Sequence, residues 1–320
     1  MNYVFTLLIL AHNEEKFLED TVLKYVDKFE TILIVNDKST DQTGSIISKL
    51  ENNYENIKTI SNKKNLGPGA SMSIGIDYFL NSDSEYLIKI DGDNQFKEKD
   101  IIKLRKLTEN KNIDFIKGDR FWENGIEGKI PLIRYFGNAF ASFLLKISSG
   151  NWNLNDPLNG LFLFSKRSLK DFQMPKLFKR YGYPFFISTY MTNLSIEKNL
   201  RILQIKNTIS YENQKSNLNA FIMFFKLVYF AFKSFLTKIS LKLKYSNLQV
   251  SAILDIFGVF SLSISVFCIL RFLMIRYGNL VGSQANWFIV FLIFFLIFIY
   301  LIYQSQKLEH DYKLTYFSEA

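Results

Sequence analysis

Cysteine is all but absent: Cys268 is the single one in 320 residues, and it lies inside an apolar stretch. That excludes a disulfide framework and leaves nothing to argue for an oxidising compartment. The opening residues do not have the pattern of a leader either. They reach Asn13 and Glu14 with no basic start and no small-residue cleavage site, so they read as a first strand and not as a signal peptide. Internal repeats and low-complexity linkers are not visible. Acidic residues are the minority, 30 against 39 Lys and Arg, which gives a net charge of +9. Such a balance suits nucleic acid, anionic lipid or phosphorylated substrates. Lysines gathered ahead of two long apolar stretches (Lys226, Lys233, Lys238, Lys242 and Lys244) favour a membrane and speak against nucleic acid.

The apolar residues are unevenly spread. Through the first two thirds, short apolar runs alternate with helical patterns: strands at 4–10, 31–36, 57–61 and 86–91, each followed by a helix, at 15–28, 41–52, 69–80 and 99–109. This alternation predicts an α/β fold, a largely parallel sheet with helices on both faces. A fifth strand at 114–118, a helix at 132–147, a strand at 161–164, a helix within 185–198 and a strand at 201–209 complete the expected domain, residues 1–217. Ligands of such sheets bind at the carboxyl ends of strands, and the polar clusters His12-Asn13-Glu14, Asn36-Asp37, Asn62-Lys63-Lys64-Asn65 and Asp91-Gly92-Asp93 all fall there.

Residues 218–249 mix Phe, Leu, Val and Tyr with lysine, as amphipathic helices in a membrane interface do; a buried helix pair of the soluble domain is the alternative. Two spans are expected within 250–305, at 256–275 and 286–303, because about 20 helical residues cross the ~30 Å hydrocarbon core. Starting the first after Asp255 keeps a carboxylate out of the bilayer, where it costs ~2.5–3.5 kcal/mol. Lysines precede the first span and follow the second (Lys307, Lys313), whereas the hairpin offers mainly Arg276. The positive-inside rule then makes the protein a two-span membrane protein with catalytic domain, tail (306–320) and both termini in the cytosol.

The sharpest constellation is Asp91-Gly92-Asp93-Asn94-Gln95. Two carboxylates at i and i+2 point to one side of an extended chain and suit Mg²⁺ or Mn²⁺ on a diphosphate, with Gln95 as a third oxygen donor. Standing alone, the same run is more often a solvated turn.

In this order, the blocks resemble glycosyltransferase family 2 (the nucleotide-sugar-binding glycosyltransferase A-type fold), and within it the polyprenyl-phosphate sugar transferases of the dolichyl-phosphate mannose synthase and undecaprenyl-phosphate glucosyltransferase kind. Ala11-His12-Asn13-Glu14-Glu15 resembles the base-pocket block, with Ala11 and His12 where the family carries proline and an aromatic residue. Asp37 matches the aspartate facing the nucleoside. Asn65-Leu66-Gly67-Pro68-Gly69-Ala70 resembles the segment whose glycines let a helix start close to the donor, with Lys63 or Lys64 adding charge. Asp91, Asp93 and Gln95 match the metal-binding Asp-x-Asp-x-Gln. Arg120 and Arg134 match two arginines that hold the acceptor phosphate, for which a guanidinium fork is suited. Asp156 aligns with the acceptor-side carboxylate, a general base where the acceptor is a hydroxyl; a phosphate acceptor is already ionised near neutral pH, which leaves Asp156 to orient the site. Lys215 stands near the position of a diphosphate contact.

The resemblance therefore implies inverting, metal-dependent transfer of a sugar from a nucleotide sugar (GDP-mannose or UDP-glucose type) to dolichyl or undecaprenyl phosphate, in contact with membrane lipids and in a homo-oligomer as related anchored enzymes suggest. The alternatives are a saccharide acceptor with Asp156 as base, or a non-catalytic nucleotide-sugar-binding scaffold. The Gln-x-x-Arg-Trp run of processive synthases does not occur.

Overall fold

The computed structural model describes residues 3–110, 112–122, 125–127, 132–151, 154–210, 220–244, 246–278, 280–311 and 316–319. Along the chain run β1 (Phe5–Ala11), α1 (Leu18–Leu23), β2 (Thr31–Asn36), α2 (Thr43–Asn53), β3 (Ile57–Ser61), α3 (Pro68–Leu80), β4 (Tyr86–Asp91) and α4 (Glu98–Asn110). Then follow β5 (Phe115–Asp119), β6 (Ile126–Glu127), α5 (Leu132–Ser149), β7 (Phe162–Ser165), α6 (Lys166–Leu169), α7 (Tyr183–Lys198), β8 (Ile202–Lys206) and β9 (Ile209–Ser210). The remainder is α8 (Ala220–Lys244), α9 (Gln249–Tyr277), α10 (Gln284–Asp311) and β10 (Tyr316–Glu319). The chain divides into two compact units, 1–234 with 315–320, and 235–314.

In the first unit the strands form an eight-stranded sheet in the order β10-β8-β5-β7-β4-β1-β2-β3. Only β7 runs against its neighbours, antiparallel to both β4 and β5. Side chains alternate across each strand: Leu8, Leu10, Leu33 and Val35 face one core with residues of α3 and α7, while Leu7, Ile9, Ile32 and Ile34 face another with residues of α1, α2 and α4. This is the two-sided helix cover that the βα alternation implies. Because β7 is reversed, its amino end lies beside the carboxyl ends of β4 and β5. That reversal brings the loop carrying Asp156 and Gly160 to the edge where Asp91 and Asp93 emerge. The expected helix at 15–28 is shorter, a six-residue α1 followed by turns.

The stretch expected as a tail instead holds the end of α10 and the edge strand β10, which pairs parallel to β8 with Tyr316 opposite Ile202. Where interfacial helices were expected, one helix, α8, runs for 25 residues.

In the second unit, α9 and α10 are long and apolar enough to cross a membrane, with only 28% and 6% of their most apolar windows buried. So little cover argues against a core hairpin of a soluble protein. On α9 a stripe of small residues, Ser251, Gly258, Ser261, Ser265 and Cys268, is buried, and it lets the helices close: Ser261 and Ser265 donate to the carbonyls of Phe294 and Phe291.

The helix α9 begins six residues before Asp255, at Gln249. Asp255 lies inside α9 and is 1% exposed. It is tolerated because Lys242 Nζ donates to its Oδ2 at 2.5 Å and also pairs with Glu309 of α10. Lys238 stands 3.8 Å from Asp255 and 3.6 Å from Glu309. Two cations and two anions thus cancel, and Lys238 and Lys242, both buried, are not headgroup contacts.

Candidate active site

The site lies at the carboxyl ends of β1, β2, β4 and β5. After β1 the chain turns at Asn13, a non-glycine residue at φ 59°. Asn13 is stitched to the loop after β2: its N–H donates to Ser39 Oγ at 3.0 Å and its Oδ1 accepts from the Thr40 N–H at 2.8 Å. Ala11 accepts from the Asp37 N–H at 2.9 Å. Asp37 itself is 4% exposed. Its Oδ1 accepts from Leu66 N–H and Asn62 Nδ2, and its Oδ2 from Gly67 N–H at 2.7 Å. Asp37 thereby docks the loop that opens α3, and Gly67 takes φ 95° there. Lys63 and Lys64 on this loop are exposed.

The glycines of this segment serve a contact that sequence reasoning missed. A Cβ on Gly67 would lie 2.6 Å from Arg180 Cα, and one on Gly69 would lie 2.2 Å from the Phe178 carbonyl. The Ala70 N–H donates to the Lys179 carbonyl at 2.9 Å. The chain at 178–180 therefore packs on the first turn of α3, an approach that both glycines permit.

At the end of β4, Asp91 and Asp93 are half-buried, and Gln95 N–H donates to Asp93 Oδ1 at 3.3 Å across a turn with Asn94 at φ 59°. The fully buried Lys89, two residues before Asp91 and so on the same side of the strand, donates to Asp91 Oδ1 at 2.7 Å. It also sits 5.2 Å over the Tyr183 ring. Glu14 completes the acidic edge: burial, then the charges of Asp93, Asp91 and Asp41, push its carboxyl up to about 8. Burial and then the charges of Asp91 and Asp93 likewise hold the Tyr183 phenol well above its ordinary range. Lys89, Tyr183 and Gly160 were not foreseen as site residues. The i, i+2 spacing of Lys89 from Asp91 was the one available signal.

Among the described residues, no three histidine, cysteine, aspartate or glutamate side chains close into a metal cage. The donor set of two carboxylates and an amide fits an ion of the Mg²⁺ kind, which keeps sites open for substrate phosphate. The crowding felt at Glu14 is what an added cation would relieve.

Beyond β5 lies a second half, where Lys117 and Arg120 are buried with Asp119 and Asp156. Asp156 is 0% exposed at φ 50°. Its Oδ2 accepts from the Arg120 N–H and Asn159 Nδ2, both at 3.0 Å, and Arg120 Nη2 faces its Oδ1 at 3.0 Å. Lys117, fully buried, donates to the carbonyls of Gly118, Asn155 and Asp156. Burial pushes its amine down to about 8, against the opposing pull of Asp156 and Asp119. Asn159 also donates to Asn207 Oδ1 at 2.9 Å. The structure thus brings Arg120 and Asp156 together. Arg134 lies in the first turn of α5 with its side chain outside the described residues, as is all of Lys215.

A mostly parallel sheet, an acidic strand end at the switch between β1 and β4, and a loop ahead of the reversed strand whose Asp156 holds Arg120 define a glycosyltransferase of the A-type fold. A solved glucosyl-3-phosphoglycerate synthase from Mycobacterium tuberculosis shares that fold at TM-score 0.51, 13% identity, over 74% of this chain and 80% of its own. The chain belongs to glycosyl transferase family 2, whose family model matches residues 6–172. Its relatives include a UDP-N-acetylglucosamine–dolichyl-phosphate N-acetylglucosaminyltransferase of Methanococcus voltae, 30% identical over 55% of this chain and 74% of the relative. A dolichyl-phosphate beta-glucosyltransferase of Trichomonas vaginalis is 31% identical over 52% and 54%. An uncharacterized protein of Methanocaldococcus jannaschii is 29% identical over 65% and 88%.

Proposed function

We propose that this glycosyltransferase moves a sugar from a nucleotide sugar to a polyprenyl phosphate at a membrane surface, with inversion at the anomeric carbon. The observation that carries the reading is the division of the strand-end edge into an acidic half (Glu14, Asp91, Asp93) and a half in which the guanidinium of Arg120 is positioned by a fully buried Asp156. Relatives whose names specify dolichyl phosphate support a polyprenyl phosphate as the acceptor.

Asp91 and Asp93, with Gln95, hold a divalent Mg²⁺ or Mn²⁺, which when bound supplies charge neutralisation for the departing diphosphate. Ala11, Asn13, Glu14 and Asp37 shape the base pocket, and Gly67 with Lys63 or Lys64 attends the phosphates. Arg120, with Arg134 on α5, receives the lipid phosphate. One oxygen of that phosphate forms the bond to the anomeric carbon as the bond to the diphosphate breaks, and the electron pair leaves with the nucleoside diphosphate. No proton has to be removed from a phosphate that is already ionised. Asp156, buried and committed to Arg120, Asn159 and the Arg120 N–H, is a positioning residue in this scheme, which is why a saccharide acceptor ranks second.

The two apolar helices span the membrane with both ends on the catalytic side; the pairing of β10 with β8 after the second span supports that topology. The test incubates membranes containing the protein with labelled nucleotide sugars, divalent metal and polyprenyl phosphate, followed by organic extraction. A metal-dependent labelled lipid is expected, and none with any donor refutes the proposal. Asp93→Asn is expected to abolish transfer; near-normal turnover rejects the metal assignment.

A further inference from the structure

We infer that Lys89 is a positioning residue for the reaction: its ammonium fixes Asp91 and offsets part of the charge of the Asp91–Asp93 pair, so that a divalent metal is held firmly only together with the donor's diphosphate. The inference rests on the metal reading above and assigns a role to a side chain outside the Asp91-Gly92-Asp93 run.

Side chains alternate along β4, so Leu87, Lys89 and Asp91 share one face. Leu87 and Lys89 are both 0% exposed, and Leu87 lies in the core that α3 and α7 complete. A strand buried on both faces is apolar at such a position. An apolar side chain of similar volume would stabilise the fold as well as a buried ion pair does, or better. Packing therefore does not account for the charge.

The surroundings of the ammonium do. Nζ donates to Asp91 Oδ1 at 2.7 Å. The Tyr183 ring lies 5.2 Å from it, within cation–π range. Gly160 closes a further side, since a Cβ there would lie 3.0 Å from Nζ and 2.6 Å from Asp91 Oδ2. These contacts hold the ammonium, and through it the carboxylate of Asp91, whose side chain is 35% exposed.

The same contact sets the charge of the site. Asp91 and Asp93 offer two negative charges to a divalent ion, and Lys89 offsets one of them. The negative charge of a nucleoside diphosphate makes up the difference. A unit charge at contact distance in a partly desolvated site is worth at least about a 10-fold change in affinity. Lys89 thus makes a firm metal site conditional on the donor, and lets the site relax once the diphosphate departs.

The test measures Mn²⁺ binding to the full chain in detergent, by loss of the free-ion electron paramagnetic resonance signal, without nucleotide and with each of UDP, GDP, CDP and dTDP. The wild type is expected to bind Mn²⁺ about 10-fold or more tightly with one of the diphosphates than without; equal affinity throughout overturns the inference independently of any variant. Lys89→Met removes the charge, and Lys89→Gln removes it while keeping a donor for Asp91 Oδ1. Without nucleotide, both are expected to bind Mn²⁺ about 10-fold more tightly than the wild type, while kcat falls about 10-fold and KM for the donor does not rise. A merely structural role predicts the reverse: weaker metal binding and a lower unfolding midpoint. Metal affinity that is unchanged or weaker in either variant, at a wild-type midpoint, overturns the inference and leaves the metal reading standing. No Mn²⁺ bound by the wild type under any condition, or full binding by Asp93→Asn, refutes the metal reading and this inference with it.

Discussion

Gly160→Ala isolates the placement of Asp91 from everything else in the site. A methyl at this position lies 2.6 Å from Asp91 Oδ2 and 3.0 Å from Lys89 Nζ. Lys89 is wholly buried and cannot withdraw, whereas the Asp91 side chain is 35% exposed and can. Restoring ordinary contact requires the carboxylate to move by roughly 0.8 Å. Folding should suffer little, about 1 kcal/mol at the low end of overpacking costs. Transfer should fall about 100-fold, the order expected for a reacting group displaced by about an ångström, equivalent to about 2.7 kcal/mol in the barrier. Initial rates measured across metal and donor concentrations, beside thermal unfolding of the same preparation, separate the two effects. Gly137→Ala is the control, since a Cβ there meets nothing within 4 Å and the rate should not change. Transfer by Gly160→Ala at more than half the wild-type rate, with metal affinity unaltered, would refute the claim that the position of Asp91 governs the reaction.

Asp156→Asn keeps the shape of the acceptor loop but removes the charge that holds Arg120; KM for polyprenyl phosphate should rise about 10-fold or more while the pH profile of kcat keeps its form. A lost acidic limb in that profile would instead make Asp156 the general base. Lys117 titrates near 8 in the folded protein and near 10.5 when unfolded, so between those values the unfolded chain binds more protons and stability rises with pH; Lys117→Met should flatten this rise in denaturant titrations from pH 8 to 10, and an unchanged slope would show that Lys117 is not its source. Lys242→Met strands Asp255 and Glu309 without their closest cation and should destabilise the second unit by about 3–5 kcal/mol, read as a lower midpoint in detergent; an unchanged midpoint would show that the quartet does not bind the three helices together.

The alternation of apolar runs and helical patterns exposed the sheet and its two helix layers, because burial on both faces is a local demand that each strand must meet by itself. Asp91, Asp93 and Gln95 were legible for the same reason: they are neighbours in sequence. The reversal of β7 was not legible, since pairing direction depends on partners far along the chain, and with it went the approach of Gly160 to Asp91. The glycines at 67 and 69 were read as room for a donor; that they also make room for the backbone at 178–180 was not legible, because that segment lies more than a hundred residues on. The burial of Asp255 was not legible, because its cation, Lys242, lies 13 residues earlier on another helix, a pairing that no periodicity reports.

Strain in the backbone follows the same division. Of the five non-glycine residues at positive φ among the described residues, Asn13, Lys38, Asn94 and Asp156 lie in the loops after β1, β2 and β4 or before β7, and Asn199, which ends α7, lies elsewhere. Such conformations cost about 1–3 kcal/mol for most residues and persist only where neighbours over-determine them. Here the neighbours are identifiable: Thr40 and Ser39 hold Asn13, Lys24 donates to Asn94 Oδ1 at 2.5 Å, and Arg120 with Asn159 holds Asp156. Each bend turns a strand end back toward one edge, so that carboxylates from β1 and β4 and the arginine after β5 converge before any substrate arrives. The hydrogen bonds that enforce these bends lie on the rim of the site, and they are where the fold commits stability to preorganisation.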